Sequence, residues 1–350
     1  MLPVSAALTA HIDRCLGCQA CEAVCPSGVP YGTLLKDGRS LLVSQSPRGL
    51  KTRLYRALIQ ATRAPRLIAC GYRLARLADS LMLLPLLGRR LHMALKGLPP
   101  RPFMRRLRPT FAEPGPNGVS LFLGCTAGLD SEALNATIRV LQALGQPVHI
   151  PPSQGCCGAL ARHAGFADIA NHQERRNREA FRQSALPITA IASGCTTALR
   201  EYDPTNEGVF PPVFDIHQFL IEKTAFEQLT LKPLHQTLAV HEPCSLRNAL
   251  KGSHSVYRLL ARIPGARIVP MPDNGGCCGA AGDYFLRAPK QAQALGDAKA
   301  STLAQLKPDI VVSANIGCAL HLSAALKRQG LSIPVLHPLV VLARQLLSTL

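Results

Sequence analysis

The chain has 350 residues, 47% hydrophobic and 17% charged, enough apolar material for two or three packed units, which excludes disorder over most of its length. Aromatic residues make up 5% and Trp is absent, so an all-β sandwich or barrel is excluded in favour of helices and tight turns. The formal net charge is +18, yet fifteen Lys and Arg against Asp79 alone fall between residues 48 and 108; no zinc finger, aromatic-studded strand or helix-turn-helix pattern accompanies that run, which argues against a nucleic-acid partner. The opening MLPVSAALTA lacks the basic region of an export signal. The longest uninterrupted apolar stretch, Leu81 to Leu87, is far short of the roughly 18 to 20 residues that cross a bilayer. The expectation is a cytoplasmic protein, peripheral on the inner membrane at most.

Thirteen cysteines in a reducing compartment point to metal binding or thiol chemistry rather than disulfides. Twelve fall into three sets of four: Cys15, Cys18, Cys21, Cys25; Cys125, Cys156, Cys157, Cys195; and Cys244, Cys277, Cys278, Cys318. Cys70, in LIACGY, reads as an apolar core residue.

In chain order, residues 1–45 form a cysteine module. Its run Cys15-x2-Cys18-x2-Cys21-x3-Cys25-Pro26 has the ferredoxin spacing, in which three thiolates hold one [4Fe-4S] cube and the fourth reaches another cluster. Four cysteines inside eleven residues do not match the paired knuckles of structural zinc sites. An α+β ferredoxin-like fold is expected here, with the metal substituting for a hydrophobic core. Residues 46–117 read as a basic helical connector: Leu54, Leu58, Leu74, Leu77, Leu81, Leu84 and Leu87 recur at helical spacing, and Pro65 and Pro85 punctuate them. Its charged face is open to three readings, a solvated surface, a dock for an acidic partner, or a dock for the anionic membrane leaflet.

Residues 118–230 and 231–350 read as two related α/β lobes. In the first, VSLFLG runs into Cys125, VHIPP leads to GCCGA, and ITAIASG runs into Cys195; in the second, TLAVHEP runs into Cys244, ARIVPMP leads to GGCCGAAG, and DIVVSANIG runs into Cys318. Equivalent cysteines are offset by 119, 121 and 123 residues, too regular for chance. Strands alternating with helices imply parallel sheets, whose sites lie at the strand carboxyl ends, where the cysteines sit. Helices beginning there aim amide dipoles at the sulfurs. Each four-thiolate set suits one iron–sulfur centre; an ordinary small core cysteine at Cys125 or Cys244, and a plain turn at GGCCGAAG, remain open. His241, just before Cys244, either hydrogen-bonds a sulfur or is structural.

The repeated CCG pair with its flanking cysteines resembles the cysteine-rich CCG domain of the heterodisulfide reductase B type. The order HIDRCLGCQACEAVCPSGVPYG, FLGC, GCCGA, ASGC, HEPC, GGCCGAAG, SANIGC resembles the iron–sulfur subunit family of glycolate oxidase over essentially the whole chain, and is similar to the corresponding subunits of lactate and anaerobic glycerol-3-phosphate dehydrogenases. The resemblance implies an electron-transfer subunit of a flavin-dependent 2-hydroxy-acid dehydrogenase, glycolate first, with FAD on a partner subunit and a quinone or other respiratory acceptor downstream. Alternatives are a lactate or glycerol-3-phosphate dehydrogenase subunit, or a heterodisulfide-reductase-like thiol enzyme. All twelve grouped cysteines are then cofactor-binding, with Cys15, Cys18, Cys21, Cys25, Cys244, Cys277, Cys278 and Cys318 as the metal sets. The sequence carries no nicotinamide fingerprint, flavin site or Ser-His-Asp arrangement, so no catalytic residue is assigned and substrate oxidation is expected on another chain. The family carries two ferredoxin runs and this chain one, from which a second run upstream of Met1 is expected. The closing C-x2-C of the heterodisulfide reductases is also absent: Ala198 follows Cys195 and His321 follows Cys318. His321 is then either a substitute ligand or an ordinary helix-start residue.

Overall fold

Runs such as VSLF and IVVS are apolar on both faces, as strands require when helices cover a parallel sheet on both sides. The computed structural model describes residues 5–45, 49–61, 118–125, 128–202 and 210–347, together with Gly71, Leu74 and Leu77. In it those runs are strands buried along their whole length. The first sheet contains β1 (Val119–Phe122), β2 (Val148–His149), β3 (Ile188–Ala190) and β4 (Val213–Asp215) in the order β2-β1-β3-β4. The second contains β5 (Thr237–His241), β6 (Arg267–Pro270), β7 (Ile310–Ser313) and β8 (Val335–Leu336) in the order β6-β5-β7-β8. Every pairing within the two sheets is parallel, so the lobes share one topology. Sequence reading finds three strands per lobe and omits β4 and β8, three and two residues long.

Side chains alternate across each strand. Val119 and Leu121 of β1, Leu238 and Val240 of β5, and Ile310 and Val312 of β7 enter one core that runs through both lobes, joined by Leu339 to Ala343 of helix Pro338–Gln345. That helix packs on helix Ser131–Ala143 of the first lobe, so the end of the chain closes the interface between the repeats. On the opposite strand faces, Phe122 and Ala190 line a smaller cluster with Cys156 and Cys157, and Ala239 and Val311 line another. The lobes also meet at their cysteine-bearing ends, where the Ser193 and Ser245 hydroxyls lie 2.8 Å apart and the Ser193 amide donates to the Ala314 carbonyl at 3.2 Å.

The N-terminal segment departs from expectation. Among the described residues it is helical only, with helices Ala6–Arg14, Ala20–Ala23 and Tyr31–Gln45 and no strand, so the α+β reading is corrected. The intervals between cysteines are too short for strand pairing: Gly17 and Gln19 take positive φ and wrap the chain into turns instead. Ser5 starts the first helix by accepting the Leu8 amide at 3.1 Å. In the long helix Gly32, Leu35, Arg39 and Leu42 form the buried stripe at helical spacing.

The described part of the connector is helical. Helix Leu50–Ala61 docks through Ile59, 1% exposed, Tyr55 against Phe166, and Arg56 paired with Asp168. The expected apolar stripe points outward: Leu54 and Leu58 are 63% and 54% exposed, and Leu74 and Leu77 are exposed as well. Cys70, Leu81, Leu84 and Leu87 lie outside the described residues.

Because one core serves both lobes, damage to it is shared. Leu339→Ala removes a fully buried side chain and should cost about 2–5 kcal/mol. In urea denaturation followed by circular dichroism, the expected result is a lower midpoint with both lobes still melting in a single transition.

Candidate metal centres

In the first lobe three strand ends deliver four sulfurs. Cys125 follows β1, Cys156 and Cys157 follow β2, and Cys195 lies in the first turn of helix Ser193–Arg200 after β3. The Sγ atoms of Cys125 and Cys156 are 3.5 Å apart, as are those of Cys157 and Cys195. Asn177 fixes the doubled cysteine: its Oδ1 accepts the Gly155 amide and its Nδ2 donates to the Cys156 carbonyl, both at 2.8 Å. The Tyr202 hydroxyl donates to the Cys157 carbonyl at 3.2 Å. Gly158, at φ 82°, turns the chain into helix Ala159–His163 hard against Ala170.

The second lobe repeats the device. Cys244 opens a π-helical turn, Ser245–Ala249, after β5; Cys277 and Cys278 follow β6; and Cys318 lies in the first turn of helix Ile316–Arg328 after β7. The Cys277, Cys278 and Cys318 side chains are buried. The thiol of Cys277 neighbours those of Cys244 and Cys278, and the thiol of Cys278 neighbours that of Cys318. The Gly279 amide donates to the Cys277 sulfur at 3.4 Å. At φ 94° and with the Ala292 carbonyl 2.5 Å from where a Cβ would stand, Gly279 admits no side chain. A ring nitrogen of His241 and the sulfurs of Cys278 and Cys318 all lie within 4.8 Å of one another.

Burial, with Cys277, Cys15 and Cys21 nearby, raises the Cys18 thiol of the N-terminal segment. The Cys25 sulfur instead receives the backbone amides of Val29, Ser27 and Gly28, which hold its thiol below the ordinary range. The first three are thus grouped and the fourth stands apart. This segment sits between the lobes. Buried Arg39 donates to the carbonyls of Cys15 at 2.5 Å and Ile12 at 3.3 Å in its own segment, and to that of His163 at 3.1 Å in the first lobe. Lys36 pairs with Glu201 at 2.6 Å. From the second lobe, Arg287 donates to the Asp13 carbonyl at 3.0 Å and Asn248 to the Cys18 carbonyl at 2.8 Å. Cys18 is close enough to Cys277 and Cys244 for their charges to interact.

These donor sets fit a soft cationic centre. Thiol–thiol hydrogen bonds and burial push Cys125, Cys157, Cys244 and Cys278 well above the ordinary thiol range, and neighbouring sulfurs push them further. Cys277, which the Cys244 and Cys278 thiols and the Gly279 amide serve as donors, is lowered. Four adjacent sulfurs therefore cannot all be thiolates unless positive charge stands among them, and sulfur ligands select iron–sulfur clusters, zinc or copper(I).

The profile of the CCG cysteine-rich domain matches residues 119–200 and 238–323, one copy in each lobe. The glycolate oxidase iron–sulfur subunit of Escherichia coli is 33% identical over 90% of this chain and 78% of its own length. The chain belongs to the glycolate oxidase iron–sulfur subunit family. The probable subunit of that name from Bacillus subtilis is 30% identical over 92% of this chain and 79% of its own, and lactate utilization protein A of Geobacillus sp. is 27% identical over 63% and 96%. A hypothetical protein from Helicobacter pylori shares the fold, with a TM-score of 0.51 at 11% identity over 65% of this chain and 49% of that one. As a member of the glycolate oxidase iron–sulfur subunit family, the chain is the electron-transfer subunit of an oxidoreductase and works with a catalytic partner subunit.

The Nε2 of His321 lies 2.9 Å from the Ala292 carbonyl, bracing the helix that bears Cys318 against helix Pro289–Leu306. Sequence reading missed Arg39, Asn177 and Asn248, which hold the cysteine loops through backbone carbonyls. Only Arg39 left a signal, a charge placed in an apolar stripe. No helix among the described residues is long and apolar enough to cross a membrane.

Three buried imidazoles make stability depend on pH. Burial, with Lys36 and Arg39 nearby, pulls His163 from 6.5 to about 4; burial chiefly pulls His241 and His337 to about 3. Below about pH 6.5 the unfolded chain takes up protons on these rings and the native chain does not, so stability present above that pH is lost as pH falls towards 4. Asp130, pushed up to about 6 by burial, works in the opposite sense, while burial also lowers His149 and His321 and adds to the imidazoles' effect. The urea midpoint is expected to be lower at about pH 5 than at about pH 7.5, with a shallower dependence in His163→Gln.

Proposed function

We propose that the chain relays electrons from a flavin-bearing 2-hydroxy-acid dehydrogenase subunit, glycolate being the substrate, towards a respiratory acceptor, with [4Fe-4S] clusters as carriers. The observation that carries this reading is the convergence of cysteine sets. Cys18 of the N-terminal segment is near enough to Cys277 and Cys244 of the second lobe for their charges to interact, and the two lobes meet at the Ser193–Ser245 contact beside their cysteine-bearing helices. Cys125, Cys156, Cys157 and Cys195 would hold one centre, Cys244, Cys277, Cys278 and Cys318 a second, and Cys15, Cys18 and Cys21 most of a third, with Cys25 turned to another ligand. Such clusters supply one-electron chemistry at potentials set by charge, hydrogen bonds to sulfur and solvent exposure.

The chain's own residues do the positioning. Asn177 and Tyr202 fix the carbonyls of the first doubled cysteine, the Gly279 amide donates to the Cys277 sulfur, and the helices starting near Cys195 and Cys318 turn their positive ends to the sulfurs. Phe122 packs with Cys156 and Cys157, and Leu322 with Cys278 and Cys318, which shields these sulfurs from water. Residues 48–108, with their excess of Lys and Arg, would attract an acidic partner surface or the anionic inner leaflet, which agrees with a location on the cytoplasmic face.

The test is iron content and turnover. After anaerobic reconstitution, Cys277→Ser should carry less iron than the natural chain and lose one EPR signal. The flavin-free chain alone should not reduce an artificial dye with glycolate, and should support turnover when the partner is added. Equal iron and identical spectra would refute the ligand assignment, and turnover by the chain alone would refute the relay.

A further inference from the structure

The strand registers align the two lobes residue for residue. Phe122 lies opposite Ala190 across β1 and β3, and His241 lies opposite Ser313 across β5 and β7. In each lobe the first of these stands three residues before the first cysteine, and the second stands five before the last. The repeat has therefore placed two different pairs at one position beside the sulfurs.

In the first lobe that position is apolar. The Phe122 ring packs against Cys156, Cys157 and the Phe181 ring, and a phenyl group gives sulfur no hydrogen bond. In the second lobe His241 is buried, and its Nδ1 lies 3.0 Å from the Ser313 hydroxyl, itself 1% exposed. A buried hydroxyl must place its proton on an acceptor, and here the acceptor is Nδ1. The ring proton then sits on Nε2, and the sulfurs of Cys278 and Cys318 lie within 4.8 Å of a nitrogen of this ring.

Resting on the relay reading above, we propose that His241 is a positioning residue of the second-lobe centre, its Nε2–H donating to the sulfur of Cys278 or Cys318, and that it sets this centre at a higher reduction potential than the first-lobe centre. An N–H donated to a thiolate offsets negative charge, which favours the more negative, reduced state of whatever centre that thiolate holds. The Ser313 hydroxyl fixes the tautomer, the usual part of a partner one bond further out. The fold is duplicated and the potentials are not.

The experiment uses the full chain, reconstituted anaerobically, with iron analysis, an EPR-monitored redox titration and pulsed EPR for nitrogen coupling. Cys277→Ser identifies which signal belongs to the second lobe. His241→Phe, which installs the first lobe's residue, should keep its iron and shift the second-lobe midpoint down towards the first-lobe value. His241→Gln, which keeps an N–H donor, should retain most of the natural midpoint, and Ser313→Ala should lower it. An unchanged midpoint in His241→Phe overturns the proposal. So does a natural chain showing directly coordinated nitrogen, since His241 would then be a ligand rather than a donor. Should His241→Phe lose its iron through misfolding, the Gln and Ala variants decide by the same two midpoints. A natural chain whose second lobe binds no iron overturns the relay reading itself, which separates the two failures.

Discussion

Like charge among sulfurs is the constraint on which the architecture depends. Four thiols gathered in a volume closed to water resist becoming thiolates, because each anion would lie beside others with little solvent to screen it. Cys125, Cys157, Cys244 and Cys278 all show this as thiols held above their ordinary range. The fold must therefore hold the four in place by forces that do not come from the sulfurs. It does so with strand ends that are buried on both faces, with glycines that bring backbone to within van der Waals distance of neighbours, and with Asn177 and Asn274 clamping the loops between strand and cysteine.

The parallel sheet answers this constraint because it ends all its strands at one edge. With order β2-β1-β3-β4 in one lobe and β6-β5-β7-β8 in the other, the two central strands and one neighbour each release a cysteine loop at that edge. Helices following the outer cysteines turn their amide ends towards the sulfurs. A single apolar core on the far face then joins the lobes, so the two edges keep a fixed relation to each other.

Much of this was legible in sequence because the duplication prints the pattern twice: strand, cysteine, strand, doubled cysteine, strand, cysteine. The α/β class, the parallel sheets and the place of the sulfurs all follow from that order. What was not legible depends on long-range contact. The N-terminal segment reads as ferredoxin-like from its spacing, yet its described residues are helical, stitched to both lobes by Arg39, Lys36, Arg287 and Asn248. Leu54 and Leu58 keep helical spacing but are exposed, because Tyr55 and Ile59 hold helix Leu50–Ala61 to the rest from another side, and Leu74 and Leu77 are exposed as well. Spacing identifies a stripe and does not identify what covers it.

Arg39 shows how closely the N-terminal segment is tied to the rest. A guanidinium in an apolar stripe is costly to bury unless its donors are met, and here the backbone carbonyls of Cys15, Ile12 and His163 meet its two terminal nitrogens, while Nε is left without a partner. The helix bearing Arg39 also passes so close to Gly165 that its carbonyl would stand 2.5 Å from a Cβ there. Gly165 takes φ 83°, so a side chain at that position would be strained twice, by backbone and by contact. The Cys15 loop and helix Ala159–His163, which starts at the first doubled cysteine, are thereby held by the same arginine. Whatever loosens the N-terminal segment disturbs the first lobe's cysteine loop as well as Cys18 beside the second, so the three cysteine sets are mechanically one unit although the sequence spreads them over some three hundred residues.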